Sequence, residues 1–154
     1  DHNIFWNYFH IPTLPKAIDM YDTVKQYNYI FIHNSSSDGE LFDIKKILKN
    51  FSTINEETLI INPCNNFYEV THKYHDIAEK ICNQTISTYK LIIENAKINI
   101  VCDSSFFCFM MNLELKYDDN FLYTSPNHTW DYVSIFEKYP FDNTKINRKK
   151  FKKL

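Results

Sequence analysis

Short apolar runs alternate along this chain with longer stretches in which apolar residues recur at helical spacing. Tyr29-Ile30-Phe31-Ile32 is apolar at every position, ends on His33, and gives way to a polar loop through Asn34, Ser35, Ser36, Ser37, Asp38 and Gly39. Residues 41–48 then take up helical spacing. Thr58-Leu59-Ile60-Ile61 repeats the unit, followed by the loop Asn62-Pro63-Cys64-Asn65-Asn66 and a helical stretch over 70–82 that sets Tyr74, Ile77, Ala78 and Ile81 on one face. Thr85 is the expected cap of a further helix running to Ile93. A third strand over 98–102, a helix over 106–113, a fourth strand at Phe121-Leu122-Tyr123, the loop Ser125-Pro126-Asn127 and a last helix over 130–139 complete the pattern. Strands without a polar face belong in a parallel sheet buried on both sides. The pattern therefore predicts an α/β, three-layer, Rossmann-like domain with a mostly parallel sheet.

The aromatic segment 4–12 and a helix from Pro15 to Gln26 precede the first strand, and are expected to pack as a strap on the outside of the sheet. This divides the chain into an aromatic strap and helix (1–28), the α/β domain (29–140) and a basic tail (141–154). A chain of 154 residues with 44% hydrophobic content is long and apolar enough to bury a full core, which excludes a disordered segment. The net charge of −2 supplies no general basic field for nucleic acid. Six Lys and Arg gathered between residues 145 and 153 are expected to form a solvated end. Nucleic acid is accordingly not an expected partner.

No apolar run approaches the roughly 20 residues of a membrane span, and no signal-peptide layout opens the sequence. The lack of an initiator Met leads us to expect a piece of a longer chain. Four cysteines lack any zinc spacing and are expected as reduced, buried thiols, which suits a cytoplasmic protein. His72 and His75, three apart, have no evident third ligand, so no metal is expected. Gly39 is the single glycine where an average chain of this length has about ten, so phosphate loops here must use Ser or Asn instead.

In an open α/β sheet, ligands sit beyond the carboxyl ends of the strands, where helix amino ends also point. Three polar clusters fall there: His33 with Asn34, Ser35, Ser36 and Ser37; Asn62 to Asn66; and Asp103, Ser104 and Ser105. His33 is a candidate base or diphosphate donor. The serines and Asn34 are candidates for the diphosphate oxygens. Asn62 is placed to read a base or ribose edge or to shape its loop, and Asp103 to cap the following helix or fix the loop rather than meet an anion.

Ile93-Glu94-Asn95-Ala96-Lys97-Ile98-Asn99-Ile100-Val101-Cys102-Asp103-Ser104-Ser105, with the strand at Phe121 and the Ser125-Pro126-Asn127 loop, resembles the carboxyl-terminal half of GT-B glycosyltransferases, in the heptosyltransferase-like pattern. The likeness runs over residues 29–125. Ser105 stands where that family has a glycine, and Cys108 where it has a histidine. The resemblance implies one half of a GT-B fold that binds a nucleotide-diphosphate sugar without a bound metal or other cofactor, and transfers the sugar to a hydroxyl acceptor. It further implies a second, acceptor-binding domain or chain, without which this piece does not turn over. The departures at Ser105 and Cys108 support an alternative: a non-catalytic α/β interaction module that has kept the fold and lost the ligand, using Trp6, Phe9 and the basic tail to hold a protein partner.

Overall fold

A computed structural model describes residues 10–123 and 151–154. The expected strap residues Trp6 and Phe9, the Ser125-Pro126-Asn127 loop, the helix over 130–139 and the basic residues before 151 lie outside the described residues.

Helix α1 spans Pro15–Val24, with proline at its first turn, where a missing N–H is harmless. Strand β1 is Tyr29–His33, helix α2 is Ile44–Leu48, and β2 is Leu59–Ile61. Helix α3, His75–Ile81, leads through a 3-10 turn at Ile86–Tyr89 into α4, Lys90–Asn95. Strand β3 is Asn99–Cys102, α5 is Ser105–Met110, β4 is Asn120–Tyr123 and β5 is Phe151–Lys153.

All five strands run parallel in the order β2-β1-β3-β4-β5. This is the α/β architecture that the apolar strands predict. Alternate residues of each strand enter different cores. Tyr29, Phe31, Leu59, Ile61, Val101 and Leu122 pack with α1, α4 and α5 through Met20, Val24, Ile92, Ile93, Phe106 and Met110. Ile30, Ile32, Ile60 and Ile100 face the other way, against Ile44 and Ile47 of α2. Because each strand is covered on both faces, its core positions are almost uniformly apolar.

Several boundaries differ from expectation, each for a local reason. Asp43 accepts from the backbone N–H groups of Lys45 and Lys46, so α2 starts at Ile44 and Leu41 is left 64% exposed. Residues 70–74 form turns rather than helix, with His72 Nδ1 accepting the Tyr74 N–H. Thr85 occupies the capping position, yet its hydroxyl bonds that of Thr88 rather than a backbone N–H, and the chain begins as a 3-10 turn. At the carboxyl end, residues 151–153 are not a solvated tail: they pair in parallel with β4. Lys152 pays for its place in a strand by reaching out to Asp119 at 2.8 Å and over the Phe121 ring.

The sheet's outer strand on the opposite side is protected by a side chain. Tyr68 Oη accepts the Ile60 N–H at 2.7 Å and donates to the Thr58 carbonyl at 3.2 Å. An otherwise open edge of β2 is thereby paired.

Candidate functional site

The strand order places the reversal of winding between β1 and β3. From β1 the chain goes outward to β2 by way of α2 on one face, then crosses back to β3 by way of α3 and α4 on the other. The two loops that leave β1 and β3 therefore lead to opposite faces of the sheet, the place where open α/β sheets take their ligands.

Three of the expected clusters meet at that point. His33 closes β1, and its ring is 4.5 Å from that of Phe106 in the first turn of α5. The Ser104 hydroxyl lies 3.1 Å from His33 Nδ1 and donates to the Cys102 carbonyl at 3.1 Å. With that proton committed, the ring Nδ1–H is the donor to Ser104, and the imidazole lone pair falls on Nε2. Ser104 is the capping residue of α5, in extended conformation, but its side chain turns to His33 instead of capping. Asp103 is therefore not the helix cap. Its carbonyl accepts the Ser37 N–H at 2.8 Å, which ties the β1 loop to the β3 loop.

The Cys102 thiol sits 3.7 Å from His33 Nδ1 and donates to the His33 carbonyl at 3.4 Å. Such a contact invites a thiolate–imidazolium pair, but burial acts against both charges. It pushes the thiol up to about 12 and the imidazole down to about 4. At neutral pH the pair is a thiol beside a neutral ring. Cys102 is no nucleophile there, and His33 is a weak base whose firmest role is to hold Ser104.

Asn34 and Asn62 are both buried and bonded to each other, Asn62 Nδ2 donating to Asn34 Oδ1 at 2.9 Å. Asn34 Nδ2 also donates to the Phe42 carbonyl, and Asn62 Oδ1 accepts the Cys64 N–H. Each amide is thus occupied in shaping its own loop and joining it to the next. Ser36 is likewise engaged, bonding Asp38 and the Glu40 backbone inside a turn closed by Gly39 at φ +86°. Ser35 pairs with Leu41 through an isolated antiparallel bridge. Of the candidate serines, Ser37 and Ser105 are the exposed ones, and Asp38, Gly39 and Glu40 of the β1 loop are exposed beside Ser37.

Outside this point the expected ligands take structural parts. His72 stacks on Tyr68 with ring centres 4.3 Å apart, and His75 Nδ1 lies 3.2 Å from the Asp76 carboxylate. Among the described residues no three His, Cys, Asp or Glu side chains gather as a metal site. Cys82 and Cys102 are buried, but Cys108 is exposed, against the expectation for all four. Reading the sequence alone misses Phe42, whose backbone closes the β1 loop on Asn34, and Phe106, whose ring packs on His33 from a segment far along the chain; their position just beyond each polar cluster was the available signal.

No helix among the described residues is long and apolar enough to cross a membrane. No family model, curated protein or solved structure matches this chain.

Proposed function

We propose that the chain is the donor-binding half of a glycosyltransferase, which binds a nucleotide-diphosphate sugar over the carboxyl ends of β1 and β3 and passes the sugar to a hydroxyl acceptor held elsewhere. The observation that supports this most is the reversal of winding between those two strands, with the exposed Ser37 and Ser105 above it and the buried Ser104 held beneath them by His33 and the Cys102 carbonyl. Backbone N–H groups and serine hydroxyls suit the oxygens of a diphosphate, and no metal is required of them. In this reading His33 is a positioning residue that fixes the Ser104 hydroxyl, while the catalytic base belongs to the acceptor side. The resemblance over residues 29–125 supplies the class of ligand.

Titration of the chain with UDP, GDP and ADP by calorimetry tests the reading. Saturable binding of one of the three at or below about 1 mM is expected, and its weakening by Ser104→Ala with Ser105→Ala. Silence from all three nucleotides overturns it.

A second reading is a non-catalytic interaction module. It is favoured by the side chains of Asn34, Asn62 and Ser36, all occupied by internal bonds. It expects the same double serine variant to leave the chain's partner binding unchanged, and substitution of Trp6 or Phe9 to abolish it.

A further inference from the structure

At the other end of the sheet, where the strands begin, a cavity of about 170 Å³ opens between α1, the α4–β3 connection and the segment before β4. Lys25, Lys97 and Lys116 line it together with Tyr21, Tyr29 and Tyr117, and no carboxylate is among the described residues that line it. Its volume has room for on the order of ten waters, enough for a phosphoryl group with a short organic tail.

Lysines beside helix carboxyl ends usually have a simple purpose, which is to neutralise unpaired terminal carbonyls. Here that purpose is already served for most of those carbonyls. In the last turn of α1 the carbonyls of Met20, Tyr21, Thr23 and Val24 accept from Thr23 Oγ1, Lys25 N, Gln26 Nε2 and Tyr27 N. In α4 the Leu91, Ile92, Ile93 and Glu94 carbonyls accept from Asn95 Nδ2, Tyr29 Oη, Asn99 Nδ2 and Lys116 N. The ammonium groups are thus not needed by these eight carbonyls.

They are also mostly surplus to the carboxylates. Lys25 pairs with Asp22 at 2.8 Å. Lys116 lies over the Tyr117 ring at 5.5 Å, and neither it nor Lys97 makes an ion pair among the described residues. Two positive charges without an ion pair among the described residues therefore share one concavity in a chain whose net charge is −2. Burial, with Tyr21 and Tyr117 nearby, holds the Tyr29 phenol above its ordinary value, so the floor of the cavity stays neutral.

We propose that this cavity is a binding site for a phosphoryl group, free or as a small phosphate monoester, gripped by Lys97 and Lys116 with the Tyr21 and Tyr117 hydroxyls as further donors, the Tyr29 hydroxyl being held by the Ile92 carbonyl. Charge and donor type both match: two ammoniums balance a dianion, and lysine holds phosphate as a compact point charge. The site lies at the opposite end of the sheet from the proposed nucleotide site and does not depend on it.

The test is a titration of the whole chain with sodium phosphate, followed by amide and lysine NMR shifts against sodium chloride at matched ionic strength. A parallel arm uses glycerol phosphate. Saturable shifts confined to the neighbourhood of Tyr29, Lys97 and Lys116, with a dissociation constant below about 10 mM in either arm, are expected. Saturation in the phosphate arm alone identifies the free ion as the ligand, and tighter saturation by glycerol phosphate identifies a monoester. Lys97→Ala with Lys116→Ala should weaken binding about tenfold or more, while Lys46→Ala with Lys49→Ala, on the α2 side, leaves it unchanged. No saturation in either arm, shifts that chloride reproduces, or equal binding by the Lys97/Lys116 variant overturns the proposal. All four substituted lysines are exposed, so folding is not at stake.

Discussion

Acidification should weaken this fold through His33 in a way that one substitution isolates. The ring is 6% exposed, packed against Phe106, and burial lowers its pKa from 6.5 to about 4. Above pH 6.5 the ring is neutral in folded and unfolded chains alike, and its titration contributes nothing. Below that, the unfolded chain takes up a proton that the folded chain refuses, so stability falls with falling pH until about pH 4, where the folded ring protonates too. At 1.36 kcal/mol for each pH unit, the ceiling on this loss is about 3 kcal/mol. Carboxylates titrate in the same window, so the wild type alone cannot isolate the effect. His33→Gln removes the titration, keeps a donor for Ser104, and leaves every other group in place. Urea midpoints followed by far-UV circular dichroism between pH 7.5 and pH 4 should show the wild type losing about 2–3 kcal/mol more than the variant. Parallel pH dependences for the two proteins would refute a buried, neutral His33.

Other consequences concern the bonds that hold the loops and edges. Tyr68→Phe leaves the Ile60 N–H without its 2.7 Å partner, which should cost about 1–2 kcal/mol in urea unfolding and speed hydrogen exchange at Ile60; an unchanged midpoint counts against the edge-capping role. Lys90 and Glu94 form an ion pair at 2.9 Å with both side chains 10% exposed, so Lys90→Met should cost about 3 kcal/mol by stranding the carboxylate, and adding Glu94→Leu should recover much of it. Asn34→Ala and Asn62→Ala, measured singly and together, should show a coupling of about 1 kcal/mol, because their 2.9 Å bond is one interaction shared by two loops. Additive costs would separate the loops.

What the sequence discloses follows from whether a residue's role is set by its neighbours in the chain or by distant ones. Tyr29-Ile30-Phe31-Ile32 could be read as a doubly buried strand because its environment is the same on both faces, and the structure divides those four residues evenly between two cores. Phe151-Lys152-Lys153 could not, since two of its three residues are charged and its place in the sheet depends on β4 and on Asp119. The polar clusters at the strand ends were equally visible, but their chemistry was not. Asn34 and Asn62 look like ligand-binding amides until each is seen to satisfy the other across 28 residues of chain, and Ser104 looks like a diphosphate donor until His33 and the Cys102 carbonyl claim its hydroxyl. The lysines at positions 25, 97 and 116 are the converse case: each reads as an ordinary surface residue, and only the fold shows them sharing one cavity with most of the nearby helix carbonyls already satisfied. A polar residue at a strand end therefore says little until its bonds are traced. The side chains of Ser37 and Ser105 at one end of the sheet and of Lys97 and Lys116 at the other, which make no ion pair or side-chain hydrogen bond among the described residues, are the ones open to a ligand.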